Sequence, residues 1–304
     1  MSDTSQAKPQ TFSRVADLVP PHAWFAVSAV FHYLGPAFAV LLFPHIGVLG
    51  VAWLRIASAA VIFVPLTKPW HTIRAAKAEQ RWLLIDFGVC LAVMNCSFYL
   101  ALERLPISLV AAIEFVGTIG VALYGLRSGR NFLALAIAVA GALILIDVRW
   151  STDPAGLFWA LLNGALFVGY IILGHKLAAT GASNGVANLG AAMAIACLFA
   201  MPFGFDEAIT AFASPALLAA AFGVGICSSV IPYICDQLAM SRLPRASFAL
   251  LLSLLPATAT VIGAVVLAQI PTLRDLFGIV LVIAGVAMHK PAPERRPGLK
   301  PASP

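Results

Sequence analysis

The sequence predicts an all-α integral membrane protein whose ten transmembrane helices form two inverted five-helix repeats. Three observations lead there. Hydrophobic residues make up 61% of the 304-residue chain and charged residues only 11%, too few to cover a water-exposed surface. The apolar residues fall into ten continuous blocks, each close to the roughly 20 residues a helix needs to cross a hydrocarbon core about 30 Å thick. A hexamer also recurs, Ala101-Leu102-Glu103-Arg104-Leu105-Pro106 and Ala239-Met240-Ser241-Arg242-Leu243-Pro244, at a separation of 138 residues and each time between two blocks. Helices are preferred to a barrel because the blocks lack strict alternation, and a helix satisfies its own backbone hydrogen bonds in lipid.

Charge or proline bounds each block. A polar stretch, 1–22, with Lys8, Arg14 and Asp17, precedes span one at 23–43. That run is too long for a signal-peptide core and has no small-residue cleavage pattern, so it is expected to remain as a helix. Pro44 separates it from span two at 46–66, which stops at Lys68-Pro69. Span three, 82–102, follows the basic run Arg74, Lys77, Arg81 and ends at Glu103-Arg104. Pro106 opens span four at 107–126, and Arg127 and Arg130 divide it from span five at 131–148. After Asp153-Pro154 come span six, 155–174, and span seven, 185–203, with His175 and Lys176 between them. Span eight is 215–239, span nine 245–268 and span ten 273–289, and a polar tail, 290–304, closes the chain. The expected organisation is thus a cytoplasmic tail (1–22), a first five-helix repeat (23–148), a second (155–289) and a cytoplasmic tail (290–304).

The net charge of +6 is a topology signal. With the N-terminus inside, fifteen basic residues fall on the cytoplasmic side: Lys8, Arg14, Lys68, Arg74, Lys77, Arg81, Arg127, Arg130, Lys176, Arg242, Arg245, Lys290, Arg295, Arg296 and Lys300. Only Arg104, Arg149 and Arg274 fall opposite, a strong positive-inside bias. Nucleic acid is therefore not an expected partner. Five spans per repeat is an odd number, so the halves enter the membrane in opposite directions; the Arg104 turn faces out while Arg242 and Arg245 face in. Inverted repeats of this kind belong to secondary transporters, whose solute site lies near the midplane between the halves. The five cysteines, Cys90, Cys96, Cys197, Cys227 and Cys235, all sit inside spans without a CxxC pair and read as packing residues.

Ionisable groups at membrane depth are costly and face a cavity or a partner. Arg55 lies about 13 Å into span two from the outside and Glu114 about 10 Å into span four, at helical rise. Two readings stand for this pair: a structural salt bridge between helices, or contact with solute and coupling ion. An Arg grips a carboxylate through two parallel hydrogen bonds. Burial favours the neutral form of Glu114 and a nearby guanidinium the charged form, so the balance is open, and Glu114 is the candidate proton carrier. A zwitterionic amino acid would need one partner of each kind. His32, Asn95 and Asn163 fall near the same layer, and the aromatics Tyr99 and Tyr233 are candidates to line a cavity with them. Asp86 and Asp236, nearer the cytoplasmic ends of spans three and eight, are candidate proton relays. Pro36, Pro232 and Pro256 lie inside spans, where they can kink them. No cofactor motif or metal-ligand spacing occurs, and no oligomeric state is assigned.

The stretch Met94-Asn95-x-x-Phe98-Tyr99-Leu100-Ala101-Leu102-x-x-Leu105-Pro106 resembles the EamA family of drug/metabolite transporters, and within it the threonine and homoserine exporter branch. Leu54-Arg55-Ile56-Ala57, Lys68-Pro69-Trp70, Ala112-Ile113-Glu114-Phe115 and Ser229-x-x-Pro232-Tyr233 are similar segments, so the resemblance spans nearly all of the chain between the tails. It implies ten helices, an inner-membrane location, and export of small amino acids or related metabolites coupled to a proton gradient. Arg55, Asn95 and Glu114 match positions of the branch's pattern. The chain departs from it at Thr118, where Gly117 is usually followed by Pro, at Leu255-Pro256, where Glu-Pro is usual, and at Ala268-Gln269, where Gly-Glu is usual. The expected partners are a small-molecule solute, a proton and the lipid bilayer. Alternatives are transport of a different solute such as a drug or nucleoside, in either direction, or a membrane-embedded enzyme or interaction protein. An enzyme would be expected to show a nucleophile motif or clustered His, Asp and Ser residues.

Overall fold

A computed structural model describes residues 19–123, 128–150, 153–178, 182–243, 248, 251 and 255–288. Every regular element among them is helical. In chain order they are α1 (Pro21–Val40), α2 (Phe43–Ile46), α3 (Val48–Thr67), α4 (Pro69–Ala75), α5 (Ala78–Leu102), α6 (Ile107–Leu123), α7 (Gly129–Trp150), α8 (Pro154–Ala178) and α9 (Ala182–Phe212). Then follow α10 (Pro215–Gly225), a π-helical segment (Ile226–Val230), α11 (Ile231–Met240), α12 (Leu255–Leu267) and α13 (Leu273–Ala287). Among the described residues six helical runs are long and apolar enough to cross a membrane: α1, α3, α5, α8, α9 and the continuous run through α10 and α11. Large apolar side chains such as Leu66, Phe132, Leu198, Phe203, Val261 and Val265 point outward. An exterior rich in such side chains is stable against lipid and not against water.

Several boundaries differ from the sequence reading for local reasons. Helix α9 runs to Phe212, past the expected end of span seven at 203, and carries the acidic pair Asp206-Glu207. The Glu207 carboxylate accepts a hydrogen bond from Gly50 N at 2.8 Å. The acid thus sits on the N-terminus of α3, where negative charge is favoured. The basic linker after span two contains α4, and Arg81 closes it by donating to the carbonyls of Ile73, Ala76 and Arg74 at 2.9–3.1 Å. Gln269, one of the departures from the exporter pattern, accepts from Ile107 N at 3.1 Å and so caps the start of α6. Most of the N-terminal part of span nine, residues 1–18 of the N-terminal tail and the C-terminal tail lie outside the described residues.

Span eight departs furthest. It is a single apolar block in sequence, yet the helix widens to a π-turn at Ile226–Val230. Pro232 is the physical cause. It has no N–H to give to the carbonyl four residues back, so the Ser228 carbonyl is released from the ladder. A freed backbone acceptor at membrane depth needs another donor. Glycines bring neighbours close enough to supply one. A Cβ on Gly35 of α1 would meet the Ser228 backbone nitrogen at 2.6 Å, and one on Gly225 would meet the Ser58 side chain of α3. The π-segment is therefore wedged between α1 and α3.

The helices pair in a regular way. α3 packs on α9, α6 on α12, and α7 on α13, while α5 packs on α8 and α1 on α11. α6 also contacts α8, and α1 contacts α12. Exchanging the sequence halves (α1 with α8, α3 with α9, α5 with the α10–α11 run, α6 with α12, α7 with α13) leaves this set of pairs unchanged. Four tyrosines, Tyr33, Tyr99, Tyr170 and Tyr233, are the largest fully buried side chains among the described residues.

Candidate functional site

The buried centre holds two opposed groups, Arg55 and Glu114, each 3% exposed. They do not form an ion pair with each other. Arg55 comes from α3. Its Nε donates to Ser229 Oγ at 2.8 Å and its Nη2 donates to the Ser228 carbonyl at 2.7 Å. That carbonyl is the one Pro232 released, so the guanidinium satisfies a backbone group that the proline orphaned. The cation also lies 5.3 Å from the centre of the Tyr99 ring, in cation–π range. A guanidinium has five N–H donors; these two bonds leave the remainder for another acceptor.

Glu114, from α6, is held from two other helices. Tyr33 of α1 donates its hydroxyl to Oε2 at 3.0 Å, and Asn163 of α8 donates Nδ2 to Oε1 at 2.7 Å. Asn95 of α5 donates Nδ2 to the Leu91 carbonyl at 2.6 Å and to the Tyr233 hydroxyl at 3.3 Å. Asn95 and Tyr233 stand 138 positions apart, the separation of the two hexamers in the sequence. The side-chain oxygens of Asn95 and Asn163 are buried and have no hydrogen-bond partner among the described residues.

These groups surround one cavity, lined by His32, Arg55, Met94, Asn95, Phe98, Glu114, Asn163, Phe167 and Tyr233. Of the residues named from sequence, His32, Arg55, Asn95, Glu114, Asn163 and Tyr233 are brought together here. Tyr99 is not on the cavity wall; it lies beneath the Arg55 guanidinium and against Phe43. Asp86 is exposed on the outer face of α5, away from this cluster. Asp236 is buried and lines a second cavity. Sequence reasoning missed Tyr33 as the donor to Glu114, and Ser228 and Ser229 as the seat of Arg55. A proline four residues after Ser228 was the available signal for the second pair.

The cavity's volume is about 10 Å³, near the space of one water. Admitting an amino acid therefore requires the lining helices to part, and the conformation is closed. A wider opening of about 520 Å³ lies beyond Tyr99 and Phe43, bordered by Gly47, Leu100, Glu103 and Glu207. Chemically, the closed cavity offers cationic donors on one side. It also offers a carboxylate, two amide oxygens that have no partner among the described residues, and the rings of Phe98 and Phe167. That is complementary to a small molecule bearing a carboxylate and an ammonium.

Known proteins share this pattern of sequence and fold. Residues 154–289 match the EamA-like transporter family. The chain is 32% identical over 269 residues to the threonine/homoserine exporter RhtA of Salmonella typhimurium strain LT2, covering 88% of this chain and 90% of that protein. It is 34% identical over 253 residues to the threonine/homoserine exporter RhtA of Escherichia coli strain K12, covering 82% and 84%. A solved crystal structure at 14% identity superposes with a TM-score of 0.60 over 88% of this chain and 96% of its own, which shows a shared fold.

Proposed function

The chain belongs to the EamA-like transporter family and is a small-molecule exporter; on that footing we propose that its solute is threonine, homoserine or a closely related small amino acid, exported across the bacterial inner membrane by alternating access. One observation carries this reading: Arg55 and Glu114 line one cavity without pairing, each held by neutral groups of the scaffold. A structural salt bridge would bring them together. Held apart, they fit the two ends of a zwitterion, the α-carboxylate toward Arg55 and the ammonium toward Glu114 and the amide oxygens of Asn95 and Asn163. His32 and Tyr233 complete the polar wall. Glu114 is also the proton carrier in this reading, because the carboxylate that releases the ammonium is then free to take up a proton.

The architecture proposed is ten spans in two inverted repeats, 23–148 and 155–289. The self-matching helix pairs and the Asn95–Tyr233 contact support that symmetry. Both termini are placed in the cytoplasm on the charge distribution, and labelling of engineered cysteines checks this. A cysteine near Lys300 should react only after the cells are opened; reaction from outside intact cells contradicts the topology.

Purified protein in liposomes tests the solute. Internal unlabelled threonine should drive uptake of labelled threonine and homoserine well above protein-free liposomes. A drug or nucleoside that exchanges while threonine and homoserine do not would overturn the amino-acid assignment.

A further inference from the structure

A second buried carboxylate sits outside the solute cavity. Asp236 of α11 is 5% exposed and accepts hydrogen bonds on both oxygens, from Ser28 Oγ at 2.5 Å and from the Tyr170 hydroxyl at 3.1 Å. Ser28 lies on α1 and Tyr170 on α8. The same two helices hold Glu114, through Tyr33 and Asn163. One helix pair thus carries two carboxylate seats. They are offset by five residues on α1, about 7 Å, and seven on α8, about 10 Å, at helical rise. Asp236 has its own cavity of about 10 Å³, bounded also by Phe25, Phe248 and Leu255. His32 and Phe167 line both cavities and form the wall between them. His32 is 7% exposed and makes no hydrogen bond among the described residues. Its ring packs edge-on against Tyr33 and Phe167. A buried imidazole facing two cavities, each with an acid in it, is placed to accept on one nitrogen and donate from the other.

We propose that Glu114, His32 and Asp236 form a two-station proton relay along the α1–α8 seam, with Asp236 as the inner station. The inference rests on the transport reading above. In one passage the Glu114 carboxylic acid gives its proton to the free nitrogen of neutral His32. The other ring nitrogen gives its proton to the Asp236 carboxylate, which releases it to water on the inner side. At each transfer one bond to hydrogen breaks and one forms, and no electrons are exchanged. Each cavity has room for about one bridging water. The titratable groups around Asp236 are His32 from α1, Tyr170 from α8 with Cys90 of α5 near it, and Tyr233 and Cys235 from its own helix. Among the described residues no lysine or arginine lines its cavity. Separating the stations by a histidine lets the solute occupy the Glu114 cavity while the displaced proton waits at Asp236.

The test uses the full chain in liposomes and reads the ratio of threonine uptake with a one-unit pH gradient to uptake without it. One proton per solute sets that ratio at about ten in wild type. Asp236→Asn should bring it close to one, and an unchanged ratio in Asp236→Asn overturns the relay. If this variant moves no solute at all, Ser28→Ala decides, since it keeps the carboxylate and removes one donor to it. The relay requires the pH at which stimulation is half-maximal to move in Ser28→Ala, and an unmoved midpoint overturns it. Wild-type liposomes that carry no threonine contradict the solute assignment instead. The same ratio is then read with the solute that does exchange.

Discussion

Arg55→Ala is expected to abolish transport while the protein still inserts and accumulates. Truncating one partner of a buried, hydrogen-bonded charge contact costs about 2–5 kcal/mol, which predicts a loss of roughly thirty-fold to more than a thousand-fold at 1.4 kcal/mol per decade. Arg55→Lys should not restore activity. The guanidinium bonds Ser229 and the Ser228 carbonyl while lying over Tyr99, and still has donors left for a solute carboxylate. A lysine ammonium is a compact point charge with three donors and cannot make these contacts in the same planar geometry. The structural alternative predicts something different: a variant that fails to assemble because the π-segment carbonyl loses its donor. Membrane abundance and a monodisperse elution profile separate the two. Wild-type transport by a well-folded Arg55→Ala would remove Arg55 from the site.

Glu114→Gln is expected to uncouple transport from the pH gradient. The substitution is isosteric and removes the titration. The local network can absorb it, because Asn163 can turn its unpartnered oxygen toward the new amide while Tyr33 keeps its acceptor. A one-unit gradient drives about ten-fold accumulation for one proton per solute, and in the Gln variant that stimulation should vanish. Uptake measured with and without the gradient, over several pH values, reads the effect directly. Stimulation of wild-type size in Glu114→Gln would mean that the proton travels elsewhere or that none is coupled.

The sequence made the central polar residues visible because a hydrocarbon environment leaves few of them. Arg55, Glu114, Asn95, Asn163, His32 and Tyr233 stood out against apolar runs, and cost alone predicts that such groups turn inward. What the runs could not show was which way each helix faces. Helix α5 is apolar on nearly all sides, so periodicity did not separate Asp86, which is exposed, from Asn95, which is buried at the centre. Tyr99 lay at the right depth but one residue around the helix from Phe98, which takes the place on the cavity wall. Ser228 and Ser229 are ordinary residues for a membrane span. Their role depends on an α3 residue more than 170 positions away meeting the turn that Pro232 opens. Tyr33 likewise has no assignable partner until α6, 81 positions on, is laid against α1. Helix length and depth are local properties of a sequence; register between helices is not.

In the proposed site one cavity holds both charged ends of a small amino acid, with Arg55 on the carboxylate and Glu114 on the ammonium. Competition against labelled threonine exchange in liposomes tests it most directly. Two analogues each lack one charge: threonine amide, with no carboxylate, and N-acetyl-threonine, with no ammonium. Both should compete far more weakly than threonine, by roughly ten-fold or more, because a site built around a polar group rejects an analogue that leaves it unpaired. Threonine amide or N-acetyl-threonine competing as well as threonine itself would contradict the claim for Arg55 or for Glu114, respectively.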